Sequence, residues 1–141
     1  MTTGGWSASD LAAIDEADEL RIAVRRPDGS LRPAVPVWVV TAAGQVYVRT
    51  WYRRDTGWFG RVLAARRAQV AAGDLVADVA VADVGVGAPD LRAAVASAYR
   101  RKYGRYGGGS VDRMVGEDAA TTTLRLTPEL EPATELRPDE R

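Results

Sequence analysis

The sequence predicts a mainly β domain with short helices (α+β), built as a six-stranded antiparallel barrel or tightly curved sheet. Three observations carry this. Short runs of alternating apolar and polar residues recur along the 141 residues, as half-buried strands require. Turn residues separate them in hairpin-like succession, without the long helical crossovers that parallel strands need. Several of the runs are too apolar to leave an edge bare, and closing the sheet removes that edge.

The first element is a short helix. Ser7 caps it, Asp10 stands at its third position, and Trp6 can staple onto Leu11; it ends near Asp18. Leu20 to Arg26 reads as the first strand, and Pro27-Asp28-Gly29-Ser30 as a turn in which Pro fixes one φ and Gly permits a positive one. The second strand, Ala34 to Thr41 in AVPVWVVT, is nearly all apolar, with Pro36 marking an edge or a bulge. Ala43-Gly44 turns into the third strand, Gln45 to Tyr52, with Val46, Val48 and Thr50 on one face and Tyr47, Arg49 and Trp51 on the other. A helix follows from Gly57 to Arg67, capped by Asp55 or Thr56. Gln69 to Ala72 and the long Leu75 to Val84 form the next hairpin around Gly73-Asp74. Pro89-Asp90 opens the clearest helix, with Leu91, Ala94, Val95 and Ala98 as its apolar stripe and Gly104 at its end. A glycine-rich loop runs from Arg105 to Gly109, and Thr121 to Thr127 is the last strand. Residues 128–141 carry three prolines and five acids against two arginines, with no aromatic residue, so a domain at 1–127 is expected to be followed by a disordered tail at 128–141.

Composition removes whole classes of function. The chain has no cysteine and no histidine, which excludes disulfides and thiolate chemistry and takes away the usual general base and transition-metal ligands. No spaced acidic loop of the EF-hand kind is present, so no metal is expected. Basic and acidic residues balance at 19 each, so nothing global points to nucleic acid. MTTGGWSASD has neither a basic start nor an apolar run, and no apolar stretch reaches the roughly 20 residues of a membrane span; a cytoplasmic protein without membrane contact is expected.

What remains is clustering. VYVRTWYRRDTGWFGRV, Val46 to Val62, places four arginines and five aromatic residues around one strand-to-helix turn. Arg49, Arg53, Arg54 and Arg61 surround a helix N-terminus, which itself attracts anions. Trp51, Tyr52, Trp58 and Phe59 supply flat apolar walls. A ligand joining an aromatic ring to a phosphate would use both sets; the plainer alternative is core packing for Trp58 and Phe59 and solvation for the arginines. The second cluster is AYRRKYGRYGGG, where Tyr99, Tyr103 and Tyr106 are interleaved with Arg100, Arg101, Lys102 and Arg105. It reads as a mobile wall of a ligand pocket or as a helix C-terminus with favourable cations. Asp78 and Asp83 stand an odd number apart on one strand and so face opposite sides, which reads as two solvated positions rather than a paired-carboxylate site.

The order of elements, and above all PVWVVTAAGQVYVRTWYRRDTGWFGRVLAARRAQVAAGDLVADVAVADV, resembles the flavin-reductase-like split barrels. It is most similar to the deazaflavin-dependent nitroreductase group and to a domain-of-unknown-function family that shares the AYRRKYGRYGG type of segment. The resemblance covers roughly residues 18–128. It implies a six-stranded split β-barrel of the FMN-binding type, a homodimer, and FMN or coenzyme F-420 in a groove near the subunit interface. The cofactor-binding residues it implies are Arg49, Thr50, Trp51, Arg53, Arg54, Trp58, Phe59 and Arg61, with Tyr99, Tyr103 and Tyr106 toward the substrate. In place of the family's usual glycine-rich or lysine-containing phosphate segment the chain has WYRRDTG. The implied activity is hydride transfer to a small organic substrate. Two alternatives stand beside it: a cofactor-free small-molecule-binding protein or enzyme on the same scaffold, and an interaction module using the patch from Arg100 to Arg105.

Overall fold

The computed structural model describes residues 6–50, 57–104 and 108–129. Helix α1 (Ala8–Glu16) opens on the expected cap, Ser7, whose Oγ accepts from the Asp10 amide at 3.0 Å. Trp6 folds back into the core and donates its indole N–H to the Leu126 carbonyl at 2.9 Å. The remaining elements are β1 (Leu20–Val24), β2 (Val35–Val37), β3 (Val39–Ala42), β4 (Gln45–Val48), α2 (Gly57–Ala65), β5 (Arg67–Ala72), β6 (Leu75–Asp83), α3 (Pro89–Tyr103), α4 (Gly108–Val115), α5 (Glu117–Ala120) and β7 (Leu124–Pro128).

All strand pairs are antiparallel, in the order β2-β1-β5-β6-β7-β4-β3. The two outer strands, β2 and β3, follow one another in the chain with Trp38 alone between them. One apolar segment therefore lies along both ends of the sheet and nearly closes it into a barrel. This corrects the count of six strands to seven. AVPVWVVT bends at Trp38 instead of running straight, because its first half pairs with β1 and its second half with β4. Pro36 lies on the outer strand β2, opposite Arg21, where its missing N–H breaks no ladder.

Period-two alternation divides the core. Val46 and Val48 point into the barrel, where they join Ile22, Val70, Val79, Leu124, Leu126 and Phe59. Tyr47 points outward, under α3, to join Val40, Val95, Tyr99, Tyr103, Val111 and Met114. Arg49 follows the same alternation and lands beneath the helices, not in solvent. The stretch after Tyr103 holds two helices where the sequence suggested a loop and then nothing regular. α3 stops at Tyr103, and Gly104 keeps a right-handed φ of −57°. β7 runs through Pro128, and Glu129 bonds the Asp78 carbonyl through its amide (2.8 Å) and pairs with Arg67 at 3.0 Å; the rest of the expected tail lies outside the described residues. No helix among the described residues is long and apolar enough to cross a membrane.

Candidate functional site

Two cavities flank α2. The larger, of about 630 Å3, lies between the β1–β2 turn, the later turns of α2 and the start of β5. Arg25, Arg26 and Arg32 come from the turn region, Arg61 from α2 and Arg67 from β5. Gly60, Ala64 and Ala65 make the helix side of this groove, and their small side chains leave it open. The five guanidinium groups are not equivalent. Arg25 pairs with Asp78 at 2.8 Å and Arg67 with Glu129 at 3.0 Å. Arg26 donates to Ser30 Oγ and to the Leu31 carbonyl. Arg32 and Arg61 have no carboxylate partner among the described residues. The groove therefore keeps an excess of positive charge. The Arg25 pair also corrects the reading of Asp78 as merely solvated.

The smaller cavity, of about 320 Å3, is lined by Glu19, Pro36, Val37, Trp38, Arg49, Thr50, Trp58 and Met114. Trp38 is held flat against Tyr103, with ring centroids 4.1 Å apart and 1° between planes. Trp58 sits one helical turn before Arg61, so the two share a side of α2. Thr50 is fixed by Thr122, whose Oγ1 accepts from the Thr50 amide and donates to the Thr50 or Ala119 carbonyl.

Arg49 is 2% exposed. Its Nε donates to Thr123 Oγ1 at 2.8 Å and its Nη1 to the Met114 carbonyl at 2.7 Å, while Nη2 is buried without a partner. Burial holds its pKa below the usual arginine range; the nearby Tyr99 opposes that shift and Arg92 adds to it. The Tyr99 hydroxyl is also buried without a hydrogen-bond partner, and burial pushes its pKa up, partly offset by the Arg49 charge.

Of the residues singled out in the sequence, Arg49, Thr50 and Trp58 meet in the smaller cleft and Arg61 in the larger groove. Phe59, Tyr99 and Tyr103 are fully buried in the two cores. Tyr103 is tied down: its hydroxyl accepts from the Val39 amide at 3.0 Å and faces the carbonyls of Asp18 (2.8 Å) and Val39 (3.1 Å). Trp51, Arg53, Arg54 and Tyr106 lie outside the described residues. Sequence reasoning missed Arg25, Arg26, Arg32 and Arg67. The signal was present in RRPDGSLR, where three arginines bracket a turn. No group of acidic side chains suited to a metal ion occurs among the described residues.

The chain belongs to the family described as uncharacterized proteins conserved in bacteria (DUF2255), whose family model matches residues 10–126. No curated protein matches it. Among solved structures it is similar to the heme storage protein HutZ from Vibrio cholerae, at 16% identity and TM-score 0.56, covering 84% of this chain and 86% of that one. It is similar to an F420-H2-dependent reductase at 14% identity and TM-score 0.53, covering 78% and 93%. A pyridoxamine 5'-phosphate oxidase-like protein from Listeria innocua gives 11% identity and TM-score 0.54, covering 84% and 90%. The fold is the split barrel of the FMN-binding type.

Proposed function

We propose that this member of the family is a cofactor-binding protein of the oxidoreductase kind, holding F-420 or FMN by its anionic end in the arginine groove. The observation that carries the reading is the groove itself: about 630 Å3, five arginines, and two of them, Arg32 and Arg61, without a carboxylate partner among the described residues. A guanidinium matches phosphate or carboxylate with a planar fork of donors. The donor set fits both cofactors, and F-420, which carries carboxylates beyond its phosphate, would use more of it. The likeness of the fold to an F420-H2-dependent reductase supports the same reading.

When bound, such a cofactor supplies hydride transfer, so a chain without histidine or cysteine lacks nothing essential. The chain's own part is position and field. Arg26, Arg32 and Arg61 bind the anion; Asp78 and Glu129 orient Arg25 and Arg67 from behind. Trp58 and Trp38 border the neighbouring cleft, where a flat molecule can lie away from water. A homodimer belongs to this reading.

The test is a fluorescence or calorimetric titration with F-420 and with FMN. Wild type binds at least one of them. Arg32→Ala with Arg61→Ala weakens that binding by about tenfold or more, each charge-assisted contact contributing roughly 1.5–3 kcal/mol where desolvated. The double variant melts close to wild type, because Arg61 is exposed, Arg32 half-buried, and neither gives up an ion pair among the described residues. If neither cofactor binds while citrate or phosphate does, the protein is the cofactor-free binding protein instead.

A further inference from the structure

Arg49 is a buried cation with no counter-ion among the described residues, its guanidinium carbon 5.7 Å from the centre of the Tyr99 ring. Its two bonded nitrogens use neutral acceptors, Thr123 Oγ1 and the Met114 carbonyl, and Nη2 uses none. No carboxylate lies within ion-pair distance of it among the described residues. Among the described residues the charge that acts on it is Arg92, of like sign. A charge taken out of water without a partner is costly, and proteins keep one where something pairs with it. Packing alone does not call for a guanidinium here. Val46 and Val48 continue inside the barrel without charge, and the outward face at Tyr47 is apolar.

The same residue lines the 320 Å3 cleft. That volume is at the lower end for small-molecule sites. Its lining includes two indoles, Trp38 and Trp58, and Pro36 and Val37 of β2. Stacking on Tyr103 holds Trp38 rigid. Glu19, an exposed residue, also lines the cleft and makes no ion pair with Arg49. Nη2 is shielded from solvent while Arg49 lines the cleft, so pairing with a ligand oxygen requires the guanidinium to shift toward the cleft.

We propose that this cleft binds a small flat carboxylate, its carboxyl group paired with Arg49 and its planar body against Trp38 and Trp58. The inference rests on the cofactor reading only in calling that carboxylate the substrate. The binding itself requires no cofactor. It also gives Arg49 a different task from the groove arginines, because the two line separate cavities.

The experiment uses the cofactor-free full chain and the pair benzoate and benzamide, which differ in charge but little in shape. Tryptophan fluorescence or calorimetry reads the binding. Benzoate binds saturably, and benzamide binds about tenfold more weakly or less, the loss expected when a charge-assisted contact goes. Arg49→Gln removes the difference between them. Glu19→Gln, which takes the negative charge from the lining, tightens benzoate. No saturable benzoate binding, equal binding of benzamide, or looser benzoate binding in Glu19→Gln overturns the proposal. Should Arg49→Gln fail to fold, the contrast between the two probes on wild type still decides. F-420 and FMN are titrated separately. Their failure with benzoate bound sinks the cofactor reading alone, and the reverse result sinks this one alone.

Discussion

Removing one hydroxyl from α3 has opposite consequences at two positions a helical turn apart. Tyr103 and Tyr99 are both fully buried on the same face. The Tyr103 hydroxyl satisfies the Val39 amide and bonds a carbonyl, anchoring α3 to the edge strand β3 and to the segment before β1. In Tyr103→Phe the ring and its stacking on Trp38 stay, but the buried Val39 N–H loses its acceptor. The cost is about 1–3 kcal/mol, which for a domain of this size lowers Tm by roughly 3–10 °C. Tyr99→Phe removes a hydroxyl that has no partner, so it is neutral or stabilising by up to about 1 kcal/mol. It also removes an alkaline liability. The folded pKa of Tyr99 is raised by burial, so the unfolded chain gives up this proton first. The stability it contributes is whole below the ordinary value of about 10 and falls as pH rises beyond it. Thermal melts of wild type and both variants at pH 7 and above pH 10 are the assay. A Tyr103→Phe protein that melts with wild type, or a Tyr99→Phe protein that melts well below it, would refute this assignment of the two tyrosines.

Other outcomes follow from local geometry. Ala43 and Gly44 both have positive φ, 53° and 76°, in the two-residue β3–β4 connection, so Ala43→Asn should stabilise by about 0.5–1 kcal/mol and raise the melting temperature. Ending the chain after Glu129 leaves Tm unchanged, whereas ending it after Thr127 lowers it, because the last residue of β7 and the Glu129 contacts go; equal melts for the two truncations would contradict this. Light scattering should give a mass near twice 15.1 kDa, and a stable monomer at micromolar concentration removes the homodimer.

Much of the barrel was legible because period two is a strong signal wherever one face is buried and the other is not. Gln45 to Val48 shows this: the alternation assigned Val46 and Tyr47 to opposite faces, and they pack in different cores. AVPVWVVT was not legible at Trp38, since a run apolar at every position carries no phase and hides a bend. The tyrosines show a missed phase. Val95, Tyr99 and Tyr103 continue one stripe at intervals of four, which puts them in one core, but the arginines and lysine interleaved with them mask that period with charge. The groove was hidden for another reason. Arg32 and Arg61 are 29 positions apart, and only the packing of α2 beside the β1–β2 turn joins them. Arg49 was named from sequence for its charge, yet its burial follows from facing the side that α3 and α4 cover, and α4 was not foreseen.

The two sets of arginine should also differ in how they respond to salt. Arg61 and Arg67 are exposed and Arg25, Arg26 and Arg32 half-buried, so ions reach the groove freely. The Debye length falls from about 10 Å at 0.1 M salt to about 3 Å at 1 M, and exposed attractions fade with it. Arg49 is walled in by Tyr99, Thr123 and Met114, where screening is far weaker. Cofactor binding through the groove is therefore expected to weaken by about tenfold or more across that range, while benzoate binding changes by less than about threefold. Titration of each ligand at the two ionic strengths measures this directly. Parallel salt dependence for both would mean that one set of charges holds both ligands, and the division of labour between groove and cleft would then fail even if each ligand binds.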